Sequence, residues 1–221
     1  MSQLKITPGS KLLFIGDSIT DCGRTQPVGE GLFDALGKGY VNLVDAHLGA
    51  IFPEARIRVV NVGTSGHTVR DLEARWERDV LDLKPDWLSI MIGVNDVWRQ
   101  FDLPHIKEQH VLPDEYEHRL NELVKSSLPY VKGLVLMTPH YIEPNPADAM
   151  RARMDQYGAA VKRIADANKT FFVDTQAAFN NVLKCCHSSA LAWDRVHPNT
   201  TGHMIIARAF LGVIGALQSD V

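Results

Sequence analysis

The chain has 221 residues, of which 45% are hydrophobic and 22% are charged, and its formal net charge is −3. This length is typical of one α/β domain, and we expect a single domain over residues 1–221. The weakly acidic balance gives no electrostatic basis for binding nucleic acid. No apolar run approaches the roughly 20 residues of a membrane helix, and no signal peptide is evident, so we predict a cytoplasmic protein without a membrane partner.

Five short apolar runs predict buried β-strands, and segments with helical spacing separate them. The predicted strands are residues 11–15, 56–62, 86–92, 134–137 and 170–173. Near-continuous apolar strands that alternate with helices are typical of a parallel sheet covered on both faces. Because such crossovers are right-handed, the pattern predicts a three-layer α/β/α, doubly wound fold.

Apolar residues at helical spacing predict the helices between these strands. They are residues 38–51, 68–83, 114–132, 147–168 and a last helix from Asn199 or Thr200 to Leu217. Asp71 follows Thr68 by three positions, which is a partial capping box. Residues 21–37 and 97–113 are predicted to be long loops. The second loop is a candidate contact for a homo-oligomer.

The three cysteines and nine histidines give no basis for a disulfide framework or a metal centre. Cys22 stands alone, and Cys185 and Cys186 are adjacent. Neither C-x-x-C nor a helical histidine pair occurs, so we expect no metal and no cofactor.

Polar or glycine-containing segments follow four of the predicted strands. They begin at Gly16, Gly63, Gly93 and Thr138. Because ligands bind beyond the carboxyl ends of the strands in an open parallel sheet, we expect these segments to form one site.

The side chains in these segments fit serine-dependent acyl transfer, which needs a hydroxyl, a base and donors for the oxyanion. Ser18 is the candidate nucleophile. The Ser18 amide, the Gly63 amide and the Asn95 side chain are the candidate oxyanion donors. Asp194 and His197 form the candidate activating pair, in which the carboxylate orients the imidazole. Each feature alone also has a structural explanation, such as a helix cap or a tight turn.

Taken together, these motifs resemble the SGNH (GDSL-type) hydrolase family. Residues 16–18, Gly63, the G-x-N-D motif at 93–96 and the D-x-x-H motif at 194–197 occur in the family's order. The resemblance implies a flavodoxin-like five-stranded parallel sheet. It also implies ester hydrolysis through an acyl-enzyme, without metal or cofactor, by Ser18, Gly63, Asn95 and His197.

Residues 16–24, 85–99 and 192–198 are similar to bacterial intracellular acetylxylan esterases within this family. This narrower resemblance implies an acetylated saccharide as substrate. The candidate substrate-binding residues are Trp193, Trp98, Asp17 and Tyr141. Trp193 is expected to wall the acyl pocket and Trp98 to stack on a sugar, whereas Asp17 is expected chiefly to anchor the nucleophile loop. A lysophospholipase or thioesterase, and a non-catalytic flavodoxin-like binding module, are the alternatives.

Overall fold

The computed structural model describes residues 4–217 and contains one five-stranded parallel sheet. The strands are β1 (Lys11–Gly16), β2 (Arg58–Asn61), β3 (Trp87–Met91), β4 (Gly133–Met137) and β5 (Phe171–Val173). All five predicted strands are confirmed. Their order in the sheet is β2-β1-β3-β4-β5, which is the flavodoxin-like order.

Helices cover both faces of this sheet. They are α1 (Ser18–Asp21), α2 (Tyr40–Ile51), α3 (Val69–Ala74), α4 (Val94–Asp102), α5 (Pro113–Ser127), α6 (Ala149–Asn168), α7 (Thr175–Val182) and α8 (Thr200–Val213). Helix α8 contacts α2 and α7, whereas α5 contacts α3 and α6, and α4 contacts α6. These two groups form the outer layers of the predicted three-layer fold. No helix among residues 4–217 has the length and apolar character needed to cross a membrane.

Residues of β3 and β4 are all buried, which explains why their sequences are almost continuously apolar, with Ser89 as the polar exception, instead of alternating. Phe14 on β1 illustrates how the helices attach to the sheet. Its ring centroid lies 4.9 Å from that of Phe210 on α8 and 5.7 Å from that of Tyr40 on α2. Such burial of aromatic side chains is a main source of folding free energy.

Two predictions about the helices were wrong. The segment 97–113 is not simply a loop, because α4 begins at Val94 and runs to Asp102. Gly93 precedes it with φ of 128°, and Val94 and Val97 are buried against the core. The helix predicted over residues 68–83 is interrupted at Arg75, and a π-helical turn follows at Glu77–Leu81.

Helix α7 was not predicted. It directly follows β5 and begins after Asp174, whose carboxylate accepts a hydrogen bond from the Ala177 amide. This is a standard N-cap, but the segment is short and its apolar pattern is weak.

Candidate active site

Ser18 is held at the carboxyl end of β1 by a tight turn into helix α1. Asp17 caps this helix, because its Oδ1 accepts a hydrogen bond of 3.0 Å from the Ile19 amide. Ser18 is the first residue of the helix, and the first amides of a helix have no intrahelical acceptor. A side chain at Gly16 would place its Cβ 2.3 Å from the Met91 carbonyl oxygen. The turn therefore depends on glycine at this position.

Ser18, His197 and Asp194 form a continuous chain of hydrogen bonds. The Ser18 Oγ lies 3.0 Å from His197 Nε2, and His197 Nδ1 lies 2.6 Å from Asp194 Oδ2. A proton on Nδ1 faces the carboxylate and leaves the lone pair of Nε2 directed at the serine. The three residues therefore have the arrangement of a serine-hydrolase triad.

The Asp194 carboxylate also organises the loop that carries His197. Its Oδ1 accepts hydrogen bonds from the amides of Val196 and His197, at 2.9 and 2.8 Å. Burial raises the pKa of Asp194, but the hydrogen bonds from His197 and these amides outweigh burial, and the pKa lies below its ordinary value. The carboxylate is therefore ionised and can stabilise an imidazolium.

The same loop is fixed from the other side by the segment after β4. The Ile142 amide donates a hydrogen bond of 2.8 Å to the Arg195 carbonyl oxygen, and the Arg195 guanidinium pairs with Glu143 at 2.7 Å. Arg195 has a φ of 63°, a left-handed conformation that is uncommon for an arginine. The bonds to Ile142 and Glu143 fix the Arg195 backbone in this conformation.

Asn95 lies beside the nucleophile turn with only 2% of its surface exposed. Its Nδ2 donates a hydrogen bond of 3.0 Å to the His67 carbonyl oxygen. A carboxamide has two N–H donors, so this bond orients the group and leaves the second donor for a ligand.

The Gly63 amide is less free than the sequence led us to expect. It donates a hydrogen bond of 2.9 Å to Asn61 Oδ1. The buried Asn61 side chain also donates to the carbonyl oxygens of Thr20 and Leu36, at 2.7 and 2.8 Å. Sequence reasoning missed this residue, although a polar side chain at the end of an apolar strand was the available signal.

Gly63 also has a steric role. A Cβ at this position would lie 2.4 Å from the Asp21 amide nitrogen and 2.7 Å from the Thr20 carbonyl carbon. The end of β2 therefore approaches helix α1 closely only because residue 63 has no side chain.

Two buried carboxyl groups lie beneath the site. Asp17 is 1% exposed and Asp96 is fully buried, and burial raises the pKa of each to about 7. The Asp96 Oδ1 accepts a hydrogen bond from the Val69 amide, whereas its Oδ2 has no partner among the described residues. Asp17, which is among the predicted substrate-binding residues, has almost no surface to offer a substrate. Its expected role as an anchor of the nucleophile turn fits its bond to Ile19.

The other candidate substrate-binding residues differ in their surroundings. The Trp98 ring is half-buried, and its centroid lies 5.7 Å from that of His197. Trp193 projects into solvent with 86% of its surface exposed, so in this structure it does not form a packed wall of an acyl pocket. Tyr141 is half-buried, and its amide donates a hydrogen bond of 2.8 Å to Gln176 Oε1. Among these three, Trp98 has the clearest contact with the catalytic geometry.

Residues 14–205 match the model of the GDSL-like lipase/acylhydrolase family. The chain belongs to this family. An acetylxylan esterase from Geobacillus stearothermophilus is 65% identical over 212 residues, which are 96% of this chain and 97% of that protein. The expected family and the expected class of enzyme, an ester hydrolase, are thereby confirmed.

Solved structures of relatives have the same fold. A crystal structure of an acetylxylan esterase from the same bacterium is 63% identical, with a TM-score of 0.95, and the match covers 98% of this chain and 100% of that chain. An alpha/beta hydrolase from the metagenome of Lake Arreo in Spain is 56% identical, with a TM-score of 0.96 and the same coverage.

Further structures of the Geobacillus enzyme are catalytic mutants with alanine in place of a serine, an aspartate or a histidine. The three mutated positions have the same separations along that chain as Ser18, Asp194 and His197 have in this one.

Proposed function

We propose that this family member is a serine carboxylesterase that removes acetyl groups from xylo-oligosaccharides through an acyl-enzyme. The observation that carries the proposal is the hydrogen-bonded chain from Ser18 through His197 to Asp194. The catalytic mutants of the Geobacillus enzyme support the same three residues. The name of that enzyme, at 65% identity, supports the acetylxylan substrate.

Acylation begins when Ser18 Oγ attacks the ester carbonyl carbon and its proton passes to His197 Nε2. Asp194 stabilises the imidazolium that forms. The negative charge develops on the former carbonyl oxygen, and the Ser18 amide and the second N–H of Asn95 are proposed to donate hydrogen bonds to it. The Gly63 amide contributes by sharing its proton between Asn61 and the oxyanion. His197 then protonates the departing sugar oxygen as the C–O bond breaks, and the sugar leaves with a free hydroxyl.

Deacylation repeats these steps with water as the nucleophile. His197 Nε2 accepts a proton from water, and the hydroxide adds to the acetyl-serine carbonyl. The second tetrahedral intermediate collapses, His197 returns a proton to Ser18 Oγ, and acetate leaves. The same donors serve both intermediates, so one site suffices for the complete reaction.

The saccharide is proposed to lie over Trp98, because the ring of this residue adjoins His197 at the place where the alcohol must leave. An aromatic ring offers an apolar face to a sugar while the rim of the site remains hydrated. Trp193 and Tyr141 are proposed to contact more distant parts of the substrate. A single domain over residues 1–221 is proposed for the chain, and both of its ends lie outside the described residues. The cytoplasmic location and the homo-oligomer stay predictions.

The test is acetate release from acetylated xylo-oligosaccharides compared with other acetylated sugars, with Ser18→Ala as the matched control. We expect Ser18-dependent release that is fastest on the xylo-oligosaccharides. Para-nitrophenyl acetate and octanoate would be compared in parallel. A preference for octanoate would reject the acetyl-ester proposal in favour of a lysophospholipase or thioesterase.

A further inference from the structure

Arg75 lies beneath the candidate site, at the break after helix α3. Its side chain is 6% exposed. The guanidinium donates hydrogen bonds to the Gly16 carbonyl oxygen at 3.0 Å, the Val62 carbonyl oxygen at 2.6 Å and His67 Nδ1 at 3.1 Å. A further bond of 2.8 Å joins it to Asp79. One buried side chain therefore connects the ends of β1 and β2 with the loop that follows β2.

The bonds to Gly16, Val62 and His67 each lead to one of the proposed oxyanion donors. Gly16 is two residues before Ser18 and ends the strand that carries it. The Val62 carbonyl and the Gly63 N–H belong to the same planar peptide, so fixing the oxygen also fixes the direction of the N–H. The ring of His67 accepts the bond from Arg75, and the backbone carbonyl oxygen of the same residue accepts the hydrogen bond that orients Asn95.

The charge of Arg75 has the sign that an oxyanion site requires. A guanidinium stays protonated in proteins, and this one lies where water cannot screen it fully. A cation at the Val62 carbonyl also polarises that peptide and makes the Gly63 N–H a stronger donor.

We propose that Arg75 is a positioning residue that sets the geometry of the three oxyanion donors. This inference rests on the proposed serine-esterase function. It assigns to Arg75 a contribution to the rate of the chemical step, with no direct contact to the substrate.

Asp79 provides a control for the purely structural role of the ion pair. Arg78 also binds the Asp79 carboxylate, at 2.6 and 3.0 Å, so Asp79 keeps a cationic partner when Arg75 is replaced. Asp79→Asn removes the negative charge that pairs with Arg75. It leaves the bonds from Arg75 to Gly16, Val62 and His67 in place. Arg75→Met removes those bonds and retains an unbranched side chain that replaces the aliphatic part of the arginine.

The experiment measures kcat and KM on para-nitrophenyl acetate for the wild type, Arg75→Met, Asp79→Asn and Ser18→Ala. It also measures the affinity for a trifluoromethyl ketone, which forms a tetrahedral adduct with the nucleophilic serine. We expect Arg75→Met to lower kcat about 100-fold, with little change in KM. The affinity of the enzyme for the trifluoromethyl ketone should fall by a similar factor. Asp79→Asn should keep most of the wild-type kcat and ketone affinity.

A folded Arg75→Met variant with nearly wild-type kcat would overturn the role of Arg75, as would an equal loss in Asp79→Asn. Should Arg75→Met not fold, Arg75→Lys retains the charge but cannot reach all three acceptors with one ammonium group. We expect about a tenfold lower kcat for this variant, and unchanged kcat would overturn the inference. Wild-type turnover that survives Ser18→Ala would instead overturn the proposed function itself.

Discussion

The Ser18 hydroxyl lies 3.0 Å from Nε2 of His197, although 179 positions separate the two residues in the chain. Ser18 follows strand β1, the second strand in the order of the sheet, and His197 precedes the last helix, α8. The parallel sheet brings both to the edge formed by the carboxyl ends of the strands, where ligands bind in folds of this type. The contact between Ser18 and His197 therefore exists only in the completed fold.

Asp194→Asn is expected to lower kcat by about 10⁴-fold with little loss of stability. The asparagine oxygen can still accept the amide bonds from Val196 and His197, but its NH₂ group would face Nδ1. The imidazole would then carry its proton on Nε2 and could not accept the serine proton. Turnover of para-nitrophenyl acetate and thermal unfolding test this, and a loss below about tenfold would contradict the role of Asp194.

Asn95→Ala is expected to lower kcat by about 10²–10³-fold, because one oxyanion donor is lost. KM should change little, since the donor binds the transition state more strongly than the substrate. The His67 carbonyl loses its partner in this variant, so circular dichroism and unfolding serve as controls for the fold. A folded Asn95→Ala variant with the same kcat as the wild type would show that Asn95 is not an oxyanion donor.

Gly63→Ala is expected to lower both stability and activity. The added Cβ would lie 2.4 Å from the Asp21 amide nitrogen, and helix α1 would have to move together with Ser18. Overpacking of this kind costs about 1–3 kcal/mol.

Gly49→Ala is the matched control for Gly63→Ala, because Gly49 is in helix α2 with nothing within 4 Å of the added Cβ. It should be more stable than the wild type by about 0.5–1 kcal/mol and equally active. Unfolding in urea and turnover are measured for both variants. A Gly63→Ala enzyme as stable and active as the Gly49→Ala enzyme would show that the close approach has no consequence.

Asp96 is expected to make the free energy of unfolding depend on pH. Burial raises its pKa from 3.8 to about 7, so the folded state keeps a proton that the unfolded state has released. The stability is therefore complete below about pH 4 and decreases as the pH rises through the folded pKa.

Asp96→Asn should remove this dependence. Between about pH 4 and 7 the difference in stability between wild type and variant should change by up to about 1.4 kcal/mol per pH unit, in favour of the variant as the pH rises. Urea unfolding at several pH values measures the difference. Parallel curves for the two proteins would show that Asp96 does not hold a proton in the folded state.

The sequence predicted the sheet well because fully buried strands such as β3 and β4 are almost continuously apolar. It indicated Ser18 and Asn95 because the residues after each strand must meet at one edge of a parallel sheet. It indicated Asp194 and His197 because the D-x-x-H motif precedes the last helix and can pair a carboxylate with an imidazole. Local patterns could not show that Arg75 interrupts a helix. The guanidinium of Arg75 binds the carbonyl oxygens of Gly16 and Val62, which belong to other segments of the chain and are invisible to a local pattern.

The helix α4 and the exposure of Trp193 were also beyond local patterns. The G-x-N-D motif has the composition of a turn, yet Gly93 there begins a helix that packs Val97 into the core. Trp193 adjoins Asp194 in sequence, but its side chain projects into solvent whereas the Asp194 carboxylate binds backbone amides of its own loop. Sequence neighbours of a catalytic residue need not share its burial.

The central claim is that Ser18 is the nucleophile of an ester hydrolase. Reaction with diethyl para-nitrophenyl phosphate, followed by intact-mass measurement and peptide mapping, tests it most directly. We predict one phosphoryl adduct per chain, located on Ser18, together with loss of acetate release, and no adduct in Ser18→Ala. Full labelling at another residue, or activity that persists in the labelled protein, would contradict the account.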